Sequence, residues 1–320
     1  MDPAQHWQDD ANDLARHGIA ARAQEPLSEL TTFRIGGPAG LVCPVKNVDD
    51  ALRFLDLSHR RGAPWTCLGG GSNILADDDG YAGLVLLVKT EALALRGRVV
   101  RVGAGWDVDT LIESTLRDGL TGLEFASGIP GTVGGAVVGN AGCYGHEISE
   151  LLREATVLRP DGAIETIGAE DFAFAYRTSA LKERADVVLD VTLELARGDV
   201  GAAAAERAEH LADRRRKHPW DLPCAGSYFK NLPPAAPGER RRAAGQLLEA
   251  VGAKAMREGD AAVFEKHANI IVNSGQARSS DVLRLAERMK AAVREQFGEV
   301  LEEEVRHLTT SDASRGPTCD

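Results

Sequence analysis

The sequence has no cysteine framework, no excess of positive charge, no long apolar run and no standard nucleotide-binding fingerprint. Each absence removes a class of protein. The five cysteines (Cys43, Cys67, Cys143, Cys224 and Cys319) are odd in number and widely spaced, and no C-x-x-C occurs. That pattern argues against a disulfide scaffold, a zinc knuckle or a thioredoxin-type site, and for free thiols in a reducing, cytoplasmic setting; no metal is expected. Lys and Arg number 37 against 48 Asp and Glu, a formal net charge of −11. So acidic a chain is a poor general binder of nucleic acid or of an anionic membrane. No stretch approaches the roughly 20 apolar residues that span a bilayer. The opening MDPAQHWQDDANDLARHG lacks the apolar core of an export signal. Two glycine-rich turns, Gly69-Gly70-Gly71-Ser72-Asn73-Ile74 and Gly103-Ala104-Gly105-Trp106-Asp107-Val108, carry Ile and Val where a dinucleotide fingerprint needs its third glycine. No G-x-x-x-x-G-K-[ST] occurs, so a nucleotide, if bound, is held by another fold.

What is present is a 320-residue chain of ordinary globular composition, 43% hydrophobic and 27% charged, with 34 glycines. At about 100–200 residues per domain, two or three domains are expected. Residues 1–24 read as a loose extension. A helix is predicted over Val48–Arg61, closed by Gly62, and another over Asp107–Asp118, closed by Gly119. Thr66–Leu68, Gly83–Val88 and Val99–Val102 read as strands, so strand and helix alternate as in α/β or α+β layers. A strand-rich region follows. Asp161-Gly162 sits between Ala155–Leu158 and Ile164–Ile167 as a hairpin turn, and Val187–Leu195 is apolar at alternate positions. An alanine-rich helix is predicted over Ala202–Lys217, then helices near Arg242–Val251 and Ser280–Phe297, a strand Asn269–Val272 and a last strand near Val300–Leu308. Leu283, Ala286, Met289, Val293 and Phe297 form a core-facing stripe.

Several motifs can carry chemistry, each with a plainer reading beside it. Gly69–Asn73 follows a strand; its bare amides could surround a phosphate, or it is a simple turn. Ala126–Gly145 holds seven glycines in twenty residues, yet also Ile129, Val133, Val137 and Val138. It reads as backbone packed against a flat ligand, or as a tight crossover. Arg177, in Tyr176-Arg177-Thr178-Ser179, could clamp a carboxylate, or lie on a surface loop. Arg214-Arg215-Arg216-Lys217 is a solvated helix end or a phosphate reader. Gly226-Ser227-Tyr228-Phe229-Lys230-Asn231 sets a hydroxyl beside an amine and an amide, or is a turn. Glu302-Glu303-Glu304, on the last strand, reads as an acidic edge.

Taken in order, these motifs, together with Thr31–Gly37 (TTFRIGG), Leu68–Leu75 (LGGGSNIL), Leu120–Gly145, Lys266–Asn273 (KHANIIVN) and Glu304-Val305-Arg306, resemble the UDP-N-acetylenolpyruvoylglucosamine reductase (MurB) family over about residues 28–308. The resemblance implies a fold of mixed α/β class: a two-part FAD-binding unit of the vanillyl-alcohol-oxidase type and a C-terminal α/β substrate domain. The division expected is 25–90, 91–200 and 201–308, with an extension at 1–24 and a tail at 309–320. It implies non-covalent FAD, NADPH as reductant and a UDP-sugar substrate in peptidoglycan precursor synthesis; a monomer is the default expectation. By resemblance, Arg177, Ser227 (proton donor) and Glu304 are catalytic. Gly69, Gly70, Gly71, Ser72, Asn73, Thr132, Gly135, Asn140, Ala141, Gly142 and Arg306 attend the cofactor. Tyr176, Lys217, Lys230 and Asn231 attend the substrate. The short link from Tyr176 to the Val187 strand is similar to the form of the family that lacks a substrate-covering loop. Cys143 stands where the family more often has Ala, and Gly139 where a bulkier residue is usual. Another FAD oxidase of this fold, or a non-catalytic nucleotide-sugar binder, are the alternatives.

Overall fold

A computed structural model describes residues 3–184, 186–236 and 238–309, the side chains of residues 3 and 4 excepted. The expected tail, with Cys319, lies almost wholly outside them. Three sheets follow one another along the chain. The first has the order Arg22–Ala23, Ala39–Val45, Tyr81–Val88, Trp65–Leu68, and its last three strands run parallel. Tyr81–Val88 lies between two strands and is buried at every position but Ala82. Its near-continuous apolar run is what a parallel strand covered on both faces requires. The crossover is the helix Val48–Arg61. The Asn47 side chain accepts from the Asp50 amide, and Gly62 closes the helix in the left-handed conformation.

The second sheet is antiparallel, in the order Ile164–Gly168, Leu152–Leu158, Val187–Glu194, Val99–Gly103, Leu93–Arg96. The helix Val108–Arg117 is capped by Asp107, whose carboxylate accepts from the Thr110 amide. The first two sheets share one large core that runs from Ala11 to Ala203. The helix Val200–Lys217 belongs with this part. Arg207 pairs with Asp109 and Glu113, and Arg214 Nε donates to the Gly128 carbonyl at 2.8 Å.

The third sheet, Cys224–Ser227, Ile270–Asn273, Ala261–Val263, Arg257–Glu258, is antiparallel. Helix Ser279–Phe297 covers it with Val282, Leu285, Ala286, Met289 and Val293. The expected stripe is thus shifted at its ends: Leu283 is only partly buried and Phe297 is exposed.

Two sequence-based expectations are corrected. Residues 1–24 are not a loose extension. Pro3–Ala15 is a helix, Ala11 and Leu14 enter the core, and buried Asp10 accepts a two-pronged bond from Arg61. Its polar surface hides the short apolar face that docks. The last strand is also shorter than Val300–Leu308. Only Arg306–Leu308 forms a ladder, parallel to Ile74–Ala76. The preceding glutamates are extended but bond to another segment: Lys230 N donates to Glu302 O, and Glu304 N to Tyr228 O. The chain's final described stretch therefore sews the third sheet to Ile74–Ala76, just after the Gly69–Asn73 turn.

Candidate active site

The site lies where the two glycine stretches meet this returning segment. The Gly69–Asn73 turn leaves the strand Trp65–Leu68 at its C-terminal end. Gly71 has φ +61°, and a Cβ there would stand 2.0 Å from the Leu30 carbonyl oxygen. The turn is pressed against the Thr31-Thr32 segment: Thr32 N donates to Gly71 O, and Thr32 Oγ1 to Cys224 O at 2.7 Å. Gly70 faces the other glycine stretch, for a Cβ on it would come within 2.9 Å of the Gly131 Cα. Among the described residues, the amides of Gly70, Gly71, Ser72 and Asn73 donate to no protein acceptor.

The second stretch folds as a six-residue helix, Val133–Val138, after Thr132, whose hydroxyl accepts from the Gly135 amide. A Cβ on Gly134 would meet Ala104 at 2.8 Å. Between the two stretches is a cleft lined by Cys67, Gly69, Val88, Thr132, Gly135 and Val138. Glycine backbone and small apolar groups along the cleft, and the free amides of the adjoining Gly70–Asn73 turn, are surfaces that a flat ring system and a pyrophosphate pack against. The residues present therefore suit FAD: Gly69–Asn73 at the phosphates, and Thr132 and Gly135 along the slot. Gly139 suits its place as well, since a Cβ there would lie 3.2 Å from the Gly135 carbonyl.

Several side chains expected at the cofactor are instead engaged within the protein. Asn140 is fully buried; its amide donates to Glu147 and to Ala175 O, and accepts from Ser149 N. Asn73 Nδ2 donates to the Glu304 carbonyl at 3.1 Å. Arg306 donates to Thr66 on the strand that feeds the glycine turn. These residues shape the site by fixing backbone.

Arg177 and Glu304 come together, with Arg177 Nε 3.2 Å from Glu304 Oε1. Arg177 has φ +57°, unusual for a side chain with a Cβ. Its guanidinium also donates to Gly142 O at 2.6 Å and, more weakly, to Asn140 O at 3.4 Å. The glycine stretch thus aims it. Burial raises the Glu304 carboxyl above its ordinary range, opposed by the charges of Arg177, Lys182 and Lys230. The three neighbouring glutamates take three different partners: Glu302 meets Lys230, Glu303 meets Lys290 and Glu304 meets Arg177.

Ser227 ends the strand Cys224–Ser227 at a register shift, next to Gly226 at φ +73°. Such an irregularity re-aims one side chain out of a ladder. Asn269 holds the bend: Tyr228 N donates to its backbone oxygen, and its side chain accepts from Phe229 N and donates to Phe229 O. Tyr228 O in turn accepts from Glu304 N, so Ser227 and Glu304 hang from one backbone junction.

The substrate-side expectations divide. Tyr176 lies beside Arg177, whose guanidinium carbon is 5.3 Å from its ring centre. Asn231 is turned inward, accepting from Ala244 N at the start of the helix Ala244–Ala250. Lys217 is exposed and paired with Asp213 at 2.8 Å, with no contact to the Arg177–Glu304 pair among the described residues. Thr32, Lys182 and Asn269 escaped sequence reasoning. Thr32 and Asn269 sit in the quoted stretches TTFRIGG and KHANIIVN, but nothing in a sequence marks which polar residue faces inward. Lys182, whose Nζ donates to the Arg177 carbonyl at 3.0 Å, lies in no motif.

Among the described residues no group of His, Cys, Asp or Glu could hold a metal, and no helix is long and apolar enough to cross a membrane. Comparison with known proteins agrees with the geometry. Residues 38–168 match the family model of an FAD binding domain. Residues 218–308, which begin as the helix Val200–Lys217 ends, match that of the C-terminal domain of UDP-N-acetylenolpyruvoylglucosamine reductase. The UDP-N-acetylenolpyruvoylglucosamine reductase 2 of Symbiobacterium thermophilum is 42% identical over 89% of this chain and 91% of its own. The reductase of Bacillus subtilis is 40% identical over 86% and 89%. The crystal structure of the Thermus caldophilus reductase aligns with a TM-score of 0.76 at 34% identity, covering 91% of this chain and 99% of its own. With a glycine-walled slot, an arginine–glutamate pair beside it and these relatives along nearly its whole length, the chain belongs to the UDP-N-acetylenolpyruvoylglucosamine reductase family of FAD-containing oxidoreductases.

Proposed function

We propose that this chain reduces the enolpyruvyl ether of UDP-N-acetylglucosamine to UDP-N-acetylmuramate, a peptidoglycan precursor, in the cytoplasm and as a monomer. The observation that carries the reading is the junction of Arg177, Glu304 and the Ser227 bend at the glycine-walled slot. FAD held by Gly69–Asn73, Thr132 and Gly135 would supply the hydride once reduced by NADPH. The protein's own residues handle the charge and the proton.

Hydride addition to the methylene carbon pushes negative charge toward the substrate carboxylate. Arg177, held in place by Gly142 O, is a preorganised partner for that charge. An incoming carboxylate competes with Glu304 for Arg177. Deprived of its cation while buried, Glu304 favours the neutral acid, which can donate a hydrogen bond to the developing enolate. Ser227 then gives its proton to the α-carbon, and Lys230 is the cation nearest in sequence to steady the resulting oxygen. The domain division proposed is 25–90 and 91–200 for the two FAD-binding parts, with helix Val200–Lys217 leading from the second into the substrate domain that ends at 308.

The test is an anaerobic two-step titration of the purified protein. NADPH should bleach a yellow flavin band, and UDP-N-acetylglucosamine enolpyruvate should restore it. Restoration by oxygen alone would replace this reading with that of an oxidase. In stopped flow, Ser227→Ala should leave bleaching by NADPH nearly unchanged and slow recovery with substrate by about 10²-fold or more; equal loss in both steps would remove Ser227 from the proton's path.

A further inference from the structure

Arg241 lies in the stretch between Asn231 and the helix Ala244–Ala250, outside every motif noted above. Its guanidinium carbon stands 3.9 Å from the centre of the Tyr176 ring, closer than that of Arg177. Two of its nitrogens, Nε and Nη2, donate to the Asn231 carbonyl at 3.1 and 2.8 Å. The fork is thus fixed from two sides: by an aromatic face on the FAD-binding half and by a carbonyl on the third domain. Nη1 has no protein acceptor among the described residues.

Its charge is also uncompensated. Three other cations of the third domain have acidic partners: Arg242 has Glu299, Lys230 has Glu302 and Lys254 has Glu249. Among the described residues Arg241 has none, and neither has Lys182, which is bound through the Arg177 carbonyl. Around Tyr176 and Arg177 stand three cationic heads: Arg177, paired with Glu304, Lys182, on the Arg177 carbonyl, and Arg241, on the Tyr176 ring. In a chain of net charge −11, a half-buried surplus of positive charge at a cleft is a place for an anion.

We propose that Arg241 is a substrate-binding residue that takes an anionic oxygen group of the nucleotide sugar, aimed by the Tyr176 ring and the Asn231 carbonyl. The inference rests on the reductase reading and adds a residue to it. Two groups of that substrate share the required chemistry, the diphosphate and the enolpyruvyl carboxylate.

The test uses the oxidised FAD-loaded protein and two ligands, UDP-N-acetylglucosamine, which has only the diphosphate, and its enolpyruvyl ether, which has both groups. Binding is read by calorimetry for wild type, Arg241→Met and Arg241→Lys, with Tm and flavin content as controls for folding. Loss of one charge-assisted bond should raise Kd about tenfold or more in Arg241→Met, with part of the loss restored in Arg241→Lys. A rise for both ligands assigns Arg241 to the diphosphate; a rise for the enolpyruvyl ether alone assigns it to the carboxylate. Unchanged Kd for both, with Tm and flavin content intact, overturns the inference. Should Arg241→Met fail to fold, the Arg241 guanidinium resonance of the wild type, assigned by its loss in Arg241→Lys, should move when ligand is added, and a stationary signal overturns the inference. If wild-type protein carrying FAD binds neither ligand, the functional reading itself fails, and this inference with it.

Discussion

At the scale of single residues, the site depends on backbone positions that only glycine occupies without strain and on polar groups whose partners are fixed. Gly71 is the sharpest case. Gly71→Ala adds a Cβ 2.0 Å from a carbonyl oxygen at a positive φ. It should cost at least about 1–3 kcal/mol and lower flavin content, measured by urea denaturation and by the visible spectrum; a variant as stable and as yellow as wild type would contradict the packed-turn account. Glu304 gives a prediction in pH. Its carboxyl is raised above the ordinary value of 4.5, so the folded state holds the proton more tightly than the unfolded one. The contribution is therefore fully present below about that value and is lost as pH rises through the raised pKa. Glu304→Gln cannot lose that proton. The stability of the variant relative to wild type should climb between acid and neutral pH, as read by chemical denaturation at a series of pH values. A constant difference would mean that Glu304 titrates normally.

At the scale of elements, the N-terminal helix Pro3–Ala15 is held by the Asp10–Arg61 pair. Asp10 is 8% exposed at its side chain and Arg61 39%. Removing the arginine leaves a carboxylate with little water, whereas neutralising the acid leaves a guanidinium that reaches solvent. Arg61→Ala should therefore cost about 1–3 kcal/mol and Asp10→Asn less, an order that equilibrium unfolding can check. The reading of this helix as an extension shows what single-sequence reasoning loses. Elements with a strong period and a stop, such as Val48–Arg61 with Gly62, are legible because all their signals are local. Pro3–Ala15 has a polar exterior, and its docking face matters only because the first sheet offers a surface to it. The same limit applies to Glu302–Glu304. Their extended shape follows from the pattern, but their bonding to Tyr228–Lys230 depends on a segment some seventy residues earlier. The Arg177–Glu304 pair and the bend at Ser227 fall within long, ordered motifs. The inward turn of Asn231 and the approach of Arg241 to Tyr176 were not legible, since each depends on where a loop of the third domain lands.

At the scale of the molecule, burial of titratable groups sets the acid limit. His218, at the end of the helix Val200–Lys217, is brought down to about 4 by burial and by the nearby charge of Arg214. His267, whose ring is 5.6 Å away, is lowered too, chiefly by burial. A histidine lowered in the fold is stable as the neutral form, so stability is intact above the ordinary value of 6.5 and falls as pH drops below it. His218→Gln should lose less stability than wild type between pH 6.5 and about 4, seen as a flatter Tm profile; parallel profiles would show that His218 is freely protonated. The return of residues 304–308 to the turn at residue 73 also has a consequence for synthesis. Asn73 and Glu304 are 231 residues apart in sequence, and closing so long a loop is slow compared with local folding. While the chain is still emerging from the ribosome, the Gly69–Asn73 turn can form beside the first sheet, but Asn73 lacks the carbonyl it donates to and Arg177 lacks its glutamate. A nascent chain stopped before residue 304 should hold FAD more weakly than the full chain, with catalytic competence appearing only when the last strand pairs.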